Sequence, residues 1–501
     1  MTQADGELRR KTLHGLVWQF LGVGGQRIVA LVSLMVISRL ITDQGDVSLF
    51  FIVLGGIAVV ESLTLFMGEQ STISSERGLE RRYLDTVFTV RVVRSVLISG
   101  VLCALAPAFA WFFERPEYSE RYWLTGLFMT LAGNGFLDGL QSPARAAKLK
   151  TMEFRRVVLG DFAAAVLGLV CTCVFALIWG NVWALLLGHL AGTASRTLLS
   201  YAVAPHMPRF GFEREALREL FHYSKGAAGA PFLLVMVFAS PAIVLGRFLH
   251  DEGGLAKFEF AGKLARMPED VFLRVLGPVA VPAYAHLRTD KPRLARAWLN
   301  AVRAFLLVGV PMTVALAWCG SALPAIVFTE KYAEAAGLFE LQSIHGGLAG
   351  LTSVVGPLFW AVGIPGKDRR AQLFRGIVIY ALGIPAAIHF GVIGFACAMI
   401  AGIATALALS LASALQYLEI PARRLLATGR DGIGLGVVLL AVLMAIDFTL
   451  APLGWWRLFA VTVTGGPLLG LTTLRILRQR RAAPPSATPP AAPPSPAEVT
   501  L

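Results

Sequence analysis

The run VVLGDFAAAVLGLVCTCVFALIW occupies residues 157–179. After only Gly180 and Asn181 the chain resumes with VWALLLGHLAGTASRTLLSYAVA, residues 182–204. Each run carries one charged residue, Asp161 in the first and Arg196 in the second. At 1.5 Å of rise per residue, about 20 apolar residues cross the hydrocarbon core of a bilayer. Lipid offers no hydrogen-bond partner, so a spanning segment must satisfy its backbone internally as a helix. The two runs therefore read as a pair of antiparallel membrane helices.

Working outward, the same pattern of long apolar runs between short charged segments gives about fourteen helices. The expected spans are 13–40, 47–69, 87–113, 122–143, 157–179, 182–204, 223–249, 256–284, 299–328, 336–361, 373–390, 392–416, 432–452 and 455–475. Composition agrees: 56% of residues are hydrophobic and 15% charged, with a mean hydropathy of +0.65. Soluble domains run near 25% charged. The fold class is an all-α polytopic membrane protein with no room for a sizeable soluble domain.

The ends and the cysteines add little chemistry. Residues 1–12 read as a polar leader ending in Arg9, Arg10 and Lys11, without a small-residue cleavage site before the first span. Residues 482–501 are rich in Ala, Pro and Ser and read as a disordered tail. Cys103, Cys171, Cys173, Cys319 and Cys397 all fall in apolar stretches, as small packing residues would.

Loop charge sets the expected topology. The loops on the side of the N-terminus hold 27 Lys and Arg, and the opposite loops hold three, Arg115, Arg121 and Lys331. Such a bias places both termini in the cytoplasm. It also accounts for the net charge of +13 as topology signals facing an anionic leaflet, without nucleic acid.

A weak internal repeat is legible. Arg39-Leu-Ile-Thr-Asp43-Gln-Gly45, after span 1, matches Arg247-Phe-Leu-His-Asp251-Glu-Gly253, after span 7. In the same register Phe50 falls on Phe258 and Glu61 on Glu269, and Arg155-Arg156 resembles Arg369-Arg370. A repeat every six spans keeps its orientation and is parallel. The expected layout is an N-lobe (13–204), a C-lobe (223–416) and two appended helices (432–475).

Charges at bilayer depth are costly, about 2.5–3.5 kcal/mol each on insertion scales, and normally face a cavity or a partner. Span 8 carries Glu259, Lys263, Arg266, Asp270 and Arg274 at spacings that put all five on one helix face. That face either walls a hydrated cavity or forms a buried ion-pair ladder, and Pro268 is expected to kink the helix. Span 1 adds Gln19, Gln26 and Arg27; Arg27 is too deep to reach either surface and is expected to face the cavity, the alternative being a buried pair with an acid such as Glu61. Span 4 shows a second stripe of Asn134, Asp138, Gln141 and Arg145. Arg91, Arg94, Arg303 and Arg375 lie near the basic side and Arg247 near the other, so snorkelling accounts for them. Asp161 and Asp447 read as isolated acids.

No phosphate-binding loop, His-Glu-x-x-His or Cys-x-x-Cys motif is present. The eight histidines are scattered, and no metal or catalytic residue is expected. The opening Gly15-x-x-Trp18-Gln19, the Gly277-Pro-Val-x-Val-Pro282-Ala-Tyr284 end of span 8 and the run Val327-Phe-Thr-Glu-Lys-Tyr332-Ala resemble the polysaccharide-biosynthesis flippases. That family belongs to the multidrug/oligosaccharidyl-lipid/polysaccharide exporter superfamily.

The resemblance implies two lobes around a central cavity faced by helices 1, 2, 7 and 8. It implies transport of an undecaprenyl-pyrophosphate-linked oligosaccharide across a bacterial inner membrane. The expected substrate-binding residues are Arg27, Lys263, Arg266 and Arg274, since Arg offers a bidentate fork to phosphate oxygens. Gln19, Gln26, Glu61, Asp138, Glu269 and Asp270 are expected to line the cavity or couple movement to ions. No cofactor is implied beyond a proton or sodium gradient. The implied partners are the lipid-linked glycan, a polymerase and glycosyltransferases of the same pathway, with the protein itself a monomer. A lipid II flippase and a multidrug cation antiporter share the implied fold, although the antiporter needs an acidic chamber. A membrane-embedded polymerase or ligase would need a long outer loop, and the outer loops reach only about eight residues.

Overall fold

The computed structural model describes residues 3–450, apart from 64–67, 115–121, 152, 228–229, 250, 252, 321–322 and 329–335. Among the described residues all regular structure is helical, as burial of the backbone in lipid requires. The first helices are α1 (Gln3–Leu40), α2 (Gln44–Leu63), α3 (Gly68–Ser74), α4 (Arg81–Phe112), α5 (Leu124–Gly139), α6 (Ala144–Lys150), α7 (Phe154–Trp179), α8 (Val182–Val203) and α9 (Arg214–Ala227). They continue with α10 (Ala230–Phe238), α11 (Ser240–Phe248), α12 (Gly254–Ala265), α13 (Met267–His286), α14 (Lys291–Trp318) and α15 (Leu323–Val327). The last are α16 (Ala336–Val355), α17 (Pro357–Ala361), α18 (Gly366–Leu418) and α19 (Ala422–Leu450).

Each of the first thirteen expected spans falls on one or more of these helices. Among the described residues seven stretches are long and apolar enough to cross a membrane: Gln44–Ser62, Arg81–Phe112, Phe154–Trp179, Lys291–Trp318, Ala336–Ala361, Gly366–Leu418 and Ala422–Ile446. Their outer faces leave Trp111, Leu177, Phe390 and Val437 exposed, which suits contact with lipid. Span 14, the tail, Arg115, Arg121, Lys331 and most of the Val327–Ala333 run lie outside the described residues.

The opening pair of runs is a hairpin. Gly180 adopts φ 60° and ψ 22°, a left-handed turn that ends α7, which suits a residue without Cβ. The Asn181 side chain then accepts from the Trp183 amide and caps α8. The two helices pack along their lengths, with Gly168 against Gly192 and Gly188 against Thr172. Small residues that let backbones approach closely are how membrane helices associate without a hydrophobic driving force.

Contacts run mostly within each half of the chain. Helix α7 also packs along α1, and α4 along α5. In the second half α14 packs on α16 and α19, while α16 also meets α12, α13 and α18. Helix α2 joins the halves by packing on α10, α11 and α12, and α1 touches α12. Val53, Phe128, Val244, Phe258 and Phe395 share one buried core across this junction.

The repeated Arg-to-Gly segments form the same turn. Asp43 Oδ1 accepts from the Gly45 amide at 2.8 Å, and Asp251 Oδ1 from the Gly253 amide at 3.0 Å. Both are turns in which a carboxylate caps the backbone two residues on. The segments also meet: the Ala256 amide donates to Ser48 Oγ at 3.0 Å.

Among the described residues span 7 is interrupted at Ala239 between α10 and α11, span 8 at Arg266 between α12 and α13, and span 10 at Gly356 between α16 and α17. Pro241, Pro268 and Pro357 stand in the first turns after these breaks, where a residue lacking an amide hydrogen is tolerated. Spans 11 and 12 run on as α18, with the turn at Gly391 (φ 64°, ψ −146°). Outside the spans, the Lys148 ammonium donates to both Glu153 oxygens at 2.8 and 2.9 Å. It thereby holds the Glu153 carboxyl below its usual range.

Helix α16 reaches the break in span 8 through Gly346, where a Cβ would sit 2.6 Å from the Ala265 carbonyl oxygen and 3.2 Å from Arg266 Cα. Gly346→Val is expected to lower stability by about 1–3 kcal/mol, read as a drop in melting temperature of the purified protein in detergent. An unchanged melting temperature would show that the break tolerates a displaced α16.

Candidate functional site

The site is the break itself. Helix α12 ends at Arg266, whose backbone turns to φ −79° and ψ 10°, and α13 begins at Met267. Pro268 has no amide to offer the carbonyl one turn back, so the ladder is interrupted and backbone oxygens are freed. In the same last turn of α12 the Lys263 carbonyl accepts from Arg27 Nη2 on α1, in the other half of the chain, at 2.8 Å.

Charges are placed to suit the two helix ends. Lys263 lies in the last turn of α12, and Glu269 and Asp270 in the first turn of α13. Cations at a C-terminus and anions at an N-terminus are each favourable by about 0.3–1 kcal/mol near a surface, and by up to about 2 kcal/mol in partly buried geometries. The Arg27 guanidinium forms an ion pair with Asp270, both side chains about one-quarter exposed. Arg266 Nη2 lies 3.7 Å from Glu259 Oε2, and its Nε donates to the Gly262 carbonyl at 3.2 Å. The charges of Glu259, Arg266, Arg27 and Asp270 all bear on Lys263.

Arg27, Lys263 and Arg266 thus meet Glu259, Glu269 and Asp270 in one cluster at the junction of the two halves. Its described side chains balance three cations against three carboxylates. Of the span 8 stripe, Asp270 and the Arg266–Glu259 pair are engaged in ion pairs, and their side chains remain partly exposed. Glu61 does not pair with Arg27; Asp270 does. Gln26 is half-buried beside Arg27 on α1. The side chains of Gln19, Arg274 and Asp447 lie outside the described residues.

Glu61 and Asp138 belong to a second network within the first half. Arg91 pairs with Asp138 at 3.0 Å, Gln141 Nε2 donates to Asp138 Oδ1 at 2.5 Å, and Arg94 Nη2 donates to the Glu61 carbonyl at 3.2 Å. Arg145 holds Glu69 at 2.9 Å and Asp161 at 2.7 Å. Glu69, Arg91, Arg94, Asp138 and Arg145 line a cavity of about 190 Å³. Arg91 and Arg94 therefore turn inward rather than snorkel, and Asp161 is not isolated.

Arg375 departs furthest from snorkelling. It is 4% exposed, with Nη2 3.3 Å from His345 Nε2, and its charge bears on Glu269. Gln342 and His345, both buried, stand three residues apart on α16 and face the same way. Their spacing was present in the sequence, where the histidines read as scattered.

Residues 36–337 match the model of the polysaccharide biosynthesis protein family. Among curated relatives, the succinoglycan biosynthesis transport protein ExoT of Rhizobium meliloti (strain 1021) is 25% identical over 195 residues, 38% of this chain. The aligned stretch spans 38% of that relative's length. The teichuronic acid biosynthesis protein TuaB of Bacillus subtilis (strain 168) is 21% identical over 340 residues, covering 66% of this chain and 68% of its own. Among solved structures, the lipid II flippase MurJ in an inward closed conformation superposes with a TM-score of 0.72 at 13% identity. That match covers 93% of this chain and 100% of that one. An inward-facing multidrug resistance MATE family transporter gives a TM-score of 0.64 at 14% identity, covering 81% and 98%. At such identities the structural likeness establishes the fold.

The Arg27–Asp270 pair joins the halves, so its coupling is measurable. Arg27→Asp and Asp270→Arg are each expected to lower the melting temperature of the purified protein. The double reversal should recover part of the loss, with a coupling of about 0.5–3 kcal/mol. Strictly additive losses would show that the two side chains do not bond.

Proposed function

The chain belongs to the polysaccharide biosynthesis protein family, and we propose that it flips an undecaprenyl-pyrophosphate-linked oligosaccharide across the bacterial inner membrane. The observation that carries the reading is the cluster of Arg27, Lys263 and Arg266 at the broken helix. A pyrophosphate leaving the interfacial water needs charge-assisted hydrogen bonds, and arginine forks supply them in pairs. The cluster sits at a helix interruption, the kind of place where other transporters hold charged substrate groups. The bias of 27 basic residues against three in the loops supports cytoplasmic termini and loading from that side.

In this mechanism Asp270 and Glu259 hold the cations while the site is empty. The pyrophosphate replaces them, and the Arg27–Asp270 bond between the halves opens. The released carboxylates sit beside added negative charge, so they take up protons or a cation. Movement is thereby tied to an ion gradient without a catalytic step. Two lobes then rock about the site so that it faces the other leaflet.

Arg27→Ala and Arg266→Ala are expected to abolish surface polysaccharide in the native host while the protein remains at normal abundance in the membrane. Lipid-linked oligosaccharide should then accumulate on the cytoplasmic side. Asp270→Asn should leave Arg27 free to hold the pyrophosphate, giving bound but untransported substrate. Full surface polysaccharide in both arginine variants would refute the cationic site.

A further inference from the structure

A second basic site lies away from the broken helix, where α19 meets α14. Arg296, Asn300 and Arg303 follow one another at spacings of four and three on α14, so they share a face. Across from them stand Arg424, Arg430 and Asp431 of α19, and together these residues line a pocket of about 390 Å³. Asp431 is the one carboxylate in its lining, and it is held by Arg303 at 2.6 Å. Arg296, Arg424 and Arg430 add three further positive charges to the same walls.

Close packing holds the two walls together beside the pocket. A Cβ on Gly432 would sit 2.5 Å from the Leu306 backbone, and one on Gly436 would sit 2.7 Å from Val310 Cγ1. Helix α19 is thus seated flush on α14 immediately beyond the pocket, with Gly429 against Leu306 on its near side. Like charges gathered on facing helices repel one another, and an anion between them relieves the repulsion.

The surroundings indicate which anion. The pocket is built from the ends of two membrane-spanning stretches, at the level of the basic loops 285–298 and 417–431. Ile433 and Val437 continue the face of Arg430 at spacings of three and seven, and both are more than half exposed. A phosphate at the arginines would have an apolar track running from it into the bilayer. We propose that this pocket binds the phosphate of an anionic membrane phospholipid, which fastens α19 to α14. A lipid headgroup is favoured over free phosphate because only the lipid uses the apolar track.

The test uses the full chain purified in neutral detergent, with dioleoyl phosphatidylglycerol, dioleoyl phosphatidylcholine or inorganic phosphate added. Phosphatidylglycerol should raise the melting temperature and stay bound in native mass spectra, and the other two should do neither. Arg424→Gln with Arg430→Gln should weaken phosphatidylglycerol binding by about thirtyfold, from the typical contribution of surface arginines to anionic-lipid binding. Ala427→Trp, which fills the pocket with every charge retained, should have the same effect, so misfolding of one variant leaves the other informative. Arg209→Gln with Arg214→Gln, which removes two charges from another basic loop, should leave binding unchanged. Equal stabilisation by phosphatidylcholine, undiminished binding in both pocket variants, or full reproduction by inorganic phosphate would each overturn the assignment.

Discussion

A proline without an amide hydrogen, placed among charged residues at membrane depth, is the constraint from which the rest of this structure follows. Pro268 prevents α12 and α13 from forming one helix, and the interruption falls at Arg266. The carbonyls and amides freed there need partners, and so do the side chains of Glu259, Lys263, Arg266, Glu269 and Asp270. Lipid can satisfy none of them. Arg27, from the other half of the chain, takes the Lys263 carbonyl and the Asp270 carboxylate together. One backbone defect thus commits α1 to α12 and α13, and fixes where the two halves join.

The glycines make the remaining contacts sharp. Gly346 lets α16 approach the Ala265–Arg266 backbone, and Gly432 lets α19 lie on Leu306. Such surfaces have few intermediate arrangements, and close-packed interfaces shift between discrete states rather than deform. On the proposed reading, exchange of an internal carboxylate for an external phosphate at the charge cluster selects between such states. The network of Arg91, Arg94, Arg145 and their acids lies within the first half, remote in role from that exchange, and reads as bracing.

Much of the fold was legible in the sequence because the bilayer demands so much of it. Long apolar runs had to be helices, and Gly180-Asn181 and Gly391 fell between runs where the structure turns. The meeting of Glu259, Lys263, Arg266 and Asp270 was legible from spacing alone, as was the break beside Pro268. Pairing was not. Glu61 was the acid considered as a buried partner for Arg27, but Asp270 is brought to it where α1 meets α12, which no local pattern encodes. Arg91, Arg94 and Arg375 read as snorkelling because depth along a helix says nothing of which face a neighbour covers. His345 was missed for the same reason, since its significance depends on α18 carrying Arg375 to it.

The most direct measurement is equilibrium binding of undecaprenyl pyrophosphate, undecaprenyl phosphate and undecaprenol to the purified protein, in wild-type form and as Arg27→Ala. If the broken helix holds the pyrophosphate, affinity should fall in that order by about tenfold or more per step. Each lost charge-assisted bond contributes about 1.5–3 kcal/mol. The Arg27→Ala protein should lose most of the discrimination while still binding the prenyl chain. Equal affinity for all three lipids in the wild-type protein would contradict the account.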